Sequence, residues 1–75
     1  MPRLPILSGM QVIRTFRRMG YETVRQRGSH MRLMHPERSH WPITVPLYKT
    51  IDRSLLRLII QEANITVEEF LGFLK

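Results

Sequence analysis

Residues 21–35, Tyr21-Glu22-Thr23-Val24-Arg25-Gln26-Arg27-Gly28-Ser29-His30-Met31-Arg32-Leu33-Met34-His35, decide the fold. Polar and apolar side chains alternate here with a period of two, on both sides of a glycine. Residues 21–26 and 29–35 therefore read as two strands flanking a tight Arg27-Gly28 turn. With two residues in that turn, Val24 faces Met31, and Leu33 lies further along the same face. The other face sets Arg25 opposite His30 and Arg32 opposite Thr23. The first is the core side, and the second places a histidine between two arginines.

Upstream, Ser8-Gly9-Met10-Gln11 has the form of a capping box, in which the hydroxyl and the amide satisfy each other's orphan backbone donors. Behind it Val12, Ile13, Phe16 and Met19 recur at helical spacing, and Gly20 supplies the stop. Arg14, Arg17 and Arg18 fall on the opposite side of that helix. Downstream, Pro36 cannot continue the ladder, so residues 35–40 form a polar loop in which His35 and His40 read as turn residues. Trp41-Pro42-Ile43-Thr44-Val45-Pro46 is a short third strand with Ile43 and Val45 inward, at an edge or stopping abruptly.

Residues 47–50 lead to a second helix capped by Thr50 or Asp52. Its Leu55, Leu56, Leu58, Ile59, Ile60 and Ala63 cover more than half of the circumference, which implies a central helix or one shared with a partner. Asn64 suits a left-handed C-cap, and Thr66-Val67-Glu68-Glu69 is a second capping box. Val67, Phe70, Leu71 and Leu74 form the apolar side of a third helix. The order α-β-β-β-α-α predicts an α+β fold, a three-stranded antiparallel sheet with helices on one face and the other face open. That is the layout of the double-stranded-RNA-binding domain (dsRBD-like). Residues 1–75 are expected to form a single domain, with 1–7 a flexible N-terminal segment.

With 75 residues and 43% apolar content, the chain is long and apolar enough for one small core and is too apolar for a disordered one. Without cysteine there is no disulfide framework, thiolate metal site or thiol nucleophile. No run approaches the ~20 apolar residues of a membrane span, and no signal-peptide core is present, so a cytoplasmic domain with no membrane partner is expected. The net charge of +6 is unevenly placed. Residues 1–35 hold seven arginines against one acid, Glu22, whereas residues 36–75 balance five basic groups against five acidic ones. Ten of the twelve cations are arginine, whose planar fork matches phosphate oxygens. A polyanion partner follows, with RNA or DNA ahead of a membrane or an acidic protein.

The three histidines, His30, His35 and His40, are the side chains whose ordinary titration range is nearest neutrality. Their spacing places His30 and His35 on opposite sheet faces, a poor zinc arrangement, so neither metal nor cofactor is expected. A Ser-His-Asp arrangement fails because Ser29 and His30 are adjacent on a strand and point to opposite faces. One chemistry needs only a histidine and nearby cations. RNA carries its own nucleophile, the 2′-hydroxyl, and an imidazole can take that proton or protonate the departing 5′ oxygen. Arginines stabilise the charge that builds on the phosphate. His30 is the candidate general acid/base. The candidate RNA contacts are Arg25, Arg27, Gly28, Ser29 and Arg32 at the hairpin, Arg14, Arg17 and Arg18 on the first helix, and Lys49 after the third strand. Trp41, beside Pro42, reads as a hydrophobic plug ahead of a base-stacking residue. Tyr48 is either a lid on the core or an RNA contact.

The stretch ending in Gly28-Ser29-His30 resembles the HicA (YcfA-like) mRNA interferase toxins of type II toxin–antitoxin pairs. The likeness extends to Ser8-Gly9, Met19-Gly20-Tyr21, His35-Pro36 and Val45-Pro46, and to Ala63-Asn64-Ile65-Thr66-Val67-Glu68-Glu69-Phe70-Leu71. It covers about Ser8 to Leu74. The resemblance implies a dsRBD-like fold, metal-independent endoribonuclease activity on mRNA, and a HicB-like antitoxin covering the active site. Contact with DNA is expected only indirectly, through the antitoxin complex. The catalytic histidine of the family's Gly-x-His motif falls on His30. The chain departs from the family pattern at Met31, in the Glu37-Arg38-Ser39-His40 loop, at Leu47-Tyr48-Lys49 where a histidine is frequent, and at Ser54 and Asn64 where glycines are usual. Two further readings rest on residues alone: a non-catalytic RNA-binding module, and an interaction protein offering the second helix to a partner.

Overall fold

A computed structural model describes residues 3–37 and 41–74 of the chain. The elements follow the predicted order: α1 (Gly9–Arg18), β1 (Glu22–Arg27), β2 (His30–Met34), β3 (Ile43–Pro46), α2 (Arg53–Glu62) and α3 (Val67–Phe73). Both capping boxes form. The Ser8 hydroxyl accepts from the Gln11 amide and the Gln11 side chain from the Ser8 N–H, and Thr66 and Glu69 repeat the exchange at α3. Asp52 rather than Thr50 caps α2, accepting from Leu55 N–H at 2.8 Å. Asn64 follows α2 with φ +55°, the left-handed conformation that its short amide side chain tolerates.

The three strands form one antiparallel sheet in the order β1-β2-β3. Along β2 the inward residue Leu33 pairs with Ile43, and Met31 with Val45. Leu33, Ile43 and Val45 are fully buried, together with Val12 and Phe16 of α1, Leu56, Ile59 and Ile60 of α2, and Phe70 of α3. α1 packs on β3 and α3, and α2 packs on β3 and α3. The helices therefore cover one sheet face and leave the other to solvent. Of the broad apolar stripe on α2, Leu58 alone is largely exposed, at 58%.

Three expectations need correction. The β1–β2 register pairs Arg27 with His30, Gln26 with Met31 and Arg25 with Arg32, so the turn is Gly28-Ser29 and not Arg27-Gly28. Gly28 has φ +58°, and a positive φ at the first of two turn positions is the pattern of a type II′ hairpin. Beyond Arg25 the ladder shifts: Thr23 pairs with Leu33, leaving Val24 in a bulge and 52% exposed instead of facing Met31 in the core. Finally, Leu4 and Leu7 of the N-terminal segment pack into the core, while Arg3 and Ile6 are exposed. Leu4 is fully buried and Leu7 nearly so, Leu7 bridges to Ile51, and Arg53 Nε donates to the Leu4 carbonyl at 2.6 Å. Arg38, Ser39 and His40 lie outside the described residues.

Candidate active site on the open sheet face

The observed register decides which side chains share the open face. Arg27 and His30 are cross-strand partners next to the turn, Arg25 and Arg32 are the next such pair along, and Thr44 of β3 pairs with Arg32. These five line one shallow pocket of about 180 Å³. Both the expected and the observed pairings put Arg25, His30 and Arg32 on one face, because they differ by two residues and the pleat alternates with a period of two. The local pairings were wrong and the face was right.

His30 is exposed. Its ring meets the Tyr48 ring edge-on, with centroids 6.1 Å apart and planes at 77°. Arg32 is half-buried, and one of its terminal nitrogens donates to the Thr44 hydroxyl at 2.9 Å. Arg25 and Arg27 are exposed. Like charges directly opposite one another on paired strands are destabilising, yet Arg25 stands against Arg32, and neither is ion-paired among the described residues. An anion in the pocket would relieve that repulsion. Arginine forks suit an oxyanion held bidentately, and a phosphate there would lie beside an imidazole whose two ring nitrogens are not hydrogen-bonded among the described residues.

Gly28 and Ser29 form the turn that aims His30, and the Ser29 carbonyl accepts from Leu47 N–H at 2.6 Å. Arg14, Arg17 and Arg18 are not part of this pocket. They line a separate, open concavity on the exposed side of α1, where Arg18 also donates to the Phe73 carbonyl at 3.2 Å. Lys49 is exposed in the connection after β3 and does not line the pocket. Thr44, which sequence reasoning did not single out, holds Arg32. Pairing β3 to β2 backwards from Pro46 would have found it. Trp41 is partly exposed and its carbonyl accepts from the Tyr21 hydroxyl at 3.0 Å. Among the described residues no cluster of three or more His, Asp or Glu is arranged to hold a metal ion, and no helix is long and apolar enough to cross a membrane.

A family model described as the HicA toxin of bacterial toxin–antitoxin matches residues 9–65, from the first residue of α1 to just past α2. No curated protein matches the chain. The matched span takes in the whole sheet and the pocket, and covers well over half of the chain. The chain therefore belongs to the HicA toxin family, and membership of a toxin–antitoxin family implies an antitoxin partner.

Proposed function

We propose that this HicA-family protein is an endoribonuclease that cleaves mRNA without a metal, with His30 as general acid/base and Arg25, Arg27 and Arg32 holding the phosphate. The observation that carries the reading is the grouping of an exposed, unbonded imidazole with three arginines that have no acidic partner among the described residues, all on the sheet face the helices leave open. RNA supplies the nucleophile. The 2′ oxygen attacks the adjacent phosphorus as its proton passes to the imidazole. The bond from phosphorus to the 5′ oxygen breaks, and the departing oxygen takes a proton from imidazolium or water. The products are a 2′,3′-cyclic phosphate and a 5′-hydroxyl. Arg27, opposite His30, and Arg32, fixed by Thr44, are suited to the charge that grows on the non-bridging oxygens.

The antitoxin partner is proposed to be a HicB-like protein that covers His30 and sets acidic groups against the arginines. Its saturating presence is then expected to stop cleavage. Arg14, Arg17, Arg18 and Lys49 are left with the role of general phosphate contacts outside the pocket. The proposal is tested by incubating purified protein with single-stranded RNA in excess chelator, with His30→Ala in parallel. The parent is expected to cleave and the variant to be slower by about 10²–10⁴-fold. Equal rates would overturn the assignment of His30. Salt-dependent binding by the parent with no cleavage would identify the non-catalytic RNA-binding module instead.

A further inference from the structure

Cleavage as written does not use Tyr48, the residue whose ring meets His30. A tyrosine kept for packing is buried or gives its hydroxyl to a partner. Tyr21 does both, being 2% exposed and donating to the Trp41 carbonyl. Tyr48 does neither: it is 47% exposed, and its hydroxyl has no partner among the described residues. It is not a lid on the core.

The backbone that carries this ring is nonetheless held from two sides. Leu47 N–H donates to the Ser29 carbonyl at 2.6 Å, which ties the connection to the hairpin turn. Gly9 N–H donates to the Tyr48 carbonyl at 2.8 Å, which ties it to the start of α1. That approach is so close that a Cβ on Gly9 would collide with the Pro46 carbonyl oxygen. An aromatic ring is thus kept at the rim of the phosphate pocket, about half exposed to water, on a backbone that cannot easily withdraw it. Exposed aromatic rings fixed beside a cationic groove are how proteins stack the bases of unpaired nucleic acid, and every base has a face that can be stacked.

We propose that Tyr48 is a stacking platform for an unpaired nucleobase next to the phosphate held by Arg25, Arg27 and Arg32, which makes single-stranded RNA the preferred substrate over duplex. Bases within a helix are already stacked on one another and cannot be offered to the ring. The proposal rests on the ribonuclease reading for its choice of ligand, and the test separates the two.

Binding of a fluorescent single-stranded RNA oligomer is measured in the His30→Ala background, where cleavage does not interfere, and cleavage is measured in the otherwise unaltered chain. Tyr48→Ala is expected to weaken single-strand binding about tenfold and to raise KM by a similar factor. Tyr48→Phe, which keeps the ring face, is expected to stay within about twofold of the parent in both. The duplex of the same sequence should bind more weakly than the single strand and be indifferent to Tyr48→Ala. If Tyr48→Ala leaves single-strand affinity unchanged, or lowers kcat alone, the platform is overturned and the ring is a positioning residue for His30 or inert. Cleavage that depends on His30 would then still stand. Conversely, Tyr48-dependent single-strand binding by a parent chain that does not cleave would support the platform and overturn the ribonuclease reading. No binding of single strands overturns both.

Discussion

The two ends of β2 each carry a histidine, five residues apart, and the two stand in opposite surroundings. His30 opens the strand on the face without helices, exposed and among arginines, with neither ring nitrogen bonded among the described residues. His35, just past the other end, is half-buried, and both of its ring nitrogens are engaged. Nδ1 accepts from Glu37 N–H at 3.1 Å, which assigns the proton to Nε2, and Nε2 then donates to the Met19 carbonyl at 3.1 Å. The ring also stands edge-on against Tyr21, with centroids 5.3 Å apart. With both ring nitrogens engaged, His35 joins the end of α1 to the end of β2. A histidine available for proton transfer and a histidine fixed by hydrogen bonds have the same one-letter code. What separates them is which end of the strand emerges against a helix terminus.

This contrast is broken most severely by exchanging the two readouts. His30→Ala should remove most cleavage while moving the melting temperature by no more than about 2 °C, since an exposed side chain without hydrogen bonds contributes little to stability. At the other end, Gly20 has φ +105°, and a Cβ there would lie 2.6 Å from His35 Nε2. Gly20→Ala should therefore cost about 1–3 kcal/mol, lowering the melting temperature by roughly 5–20 °C, with cleavage per folded molecule unchanged. His35→Ala gives up two hydrogen bonds and a ring contact in a partly buried corner, and about 1–2 kcal/mol is expected by thermal melting. A loss of cleavage larger than the loss of folded protein in either variant would show that the two ends are not independent. The smallest expected effect is at Thr44→Val. Removing the hydroxyl that holds Arg32 should raise KM about two- to tenfold without changing the melting temperature.

Much of this fold is local in origin, and those parts were legible. Ser8 with Gln11, Thr66 with Glu69, and Asn64 after α2 each solve a helix-end problem with residues three or fewer positions away, so the sequence displays them directly. The hairpin was harder because Gly28 can serve as either residue of a two-residue turn. Only the backbone shows it to be the first, which moves the cross-strand partners of Arg25, Gln26 and Arg27 by two, and those of Glu22 and Thr23, beyond the bulge, by one. The bulge at Val24 had no sequence signal, since an alternating pattern reads the same with or without one extra residue near its end. Leu4 and Leu7 were also missed. Their burial depends on a single bridge to Ile51 and on Arg53 reaching the Leu4 carbonyl, both contacts more than forty residues away in sequence.

The grouping of these side chains on one face is unchanged by these errors for a physical reason. A register error of two leaves each side chain on its own face, so His30 kept Arg25 and Arg32 beside it and gained Arg27 as its direct partner. An error of one residue would have placed the histidine on the core side. The helix arginines were not separable from the pocket by charge alone. Arg14, Arg17 and Arg18 contribute to the same basic half of the chain, and only the packing of α1 shows that they line a different surface.

The central claim is that RNA's own 2′-hydroxyl attacks while His30 handles the proton, and the most direct measurement is the chemistry of the cut ends. An oligonucleotide made of DNA except for one ribonucleotide is incubated with the protein, and the fragments are resolved by mass. The account predicts a single cut 3′ of the ribonucleotide, leaving a 2′,3′-cyclic phosphate or the 3′-phosphate formed by its hydrolysis, and no cut in the all-deoxy strand. A fragment ending in a 3′-hydroxyl, or a cut between two deoxynucleotides, would contradict it.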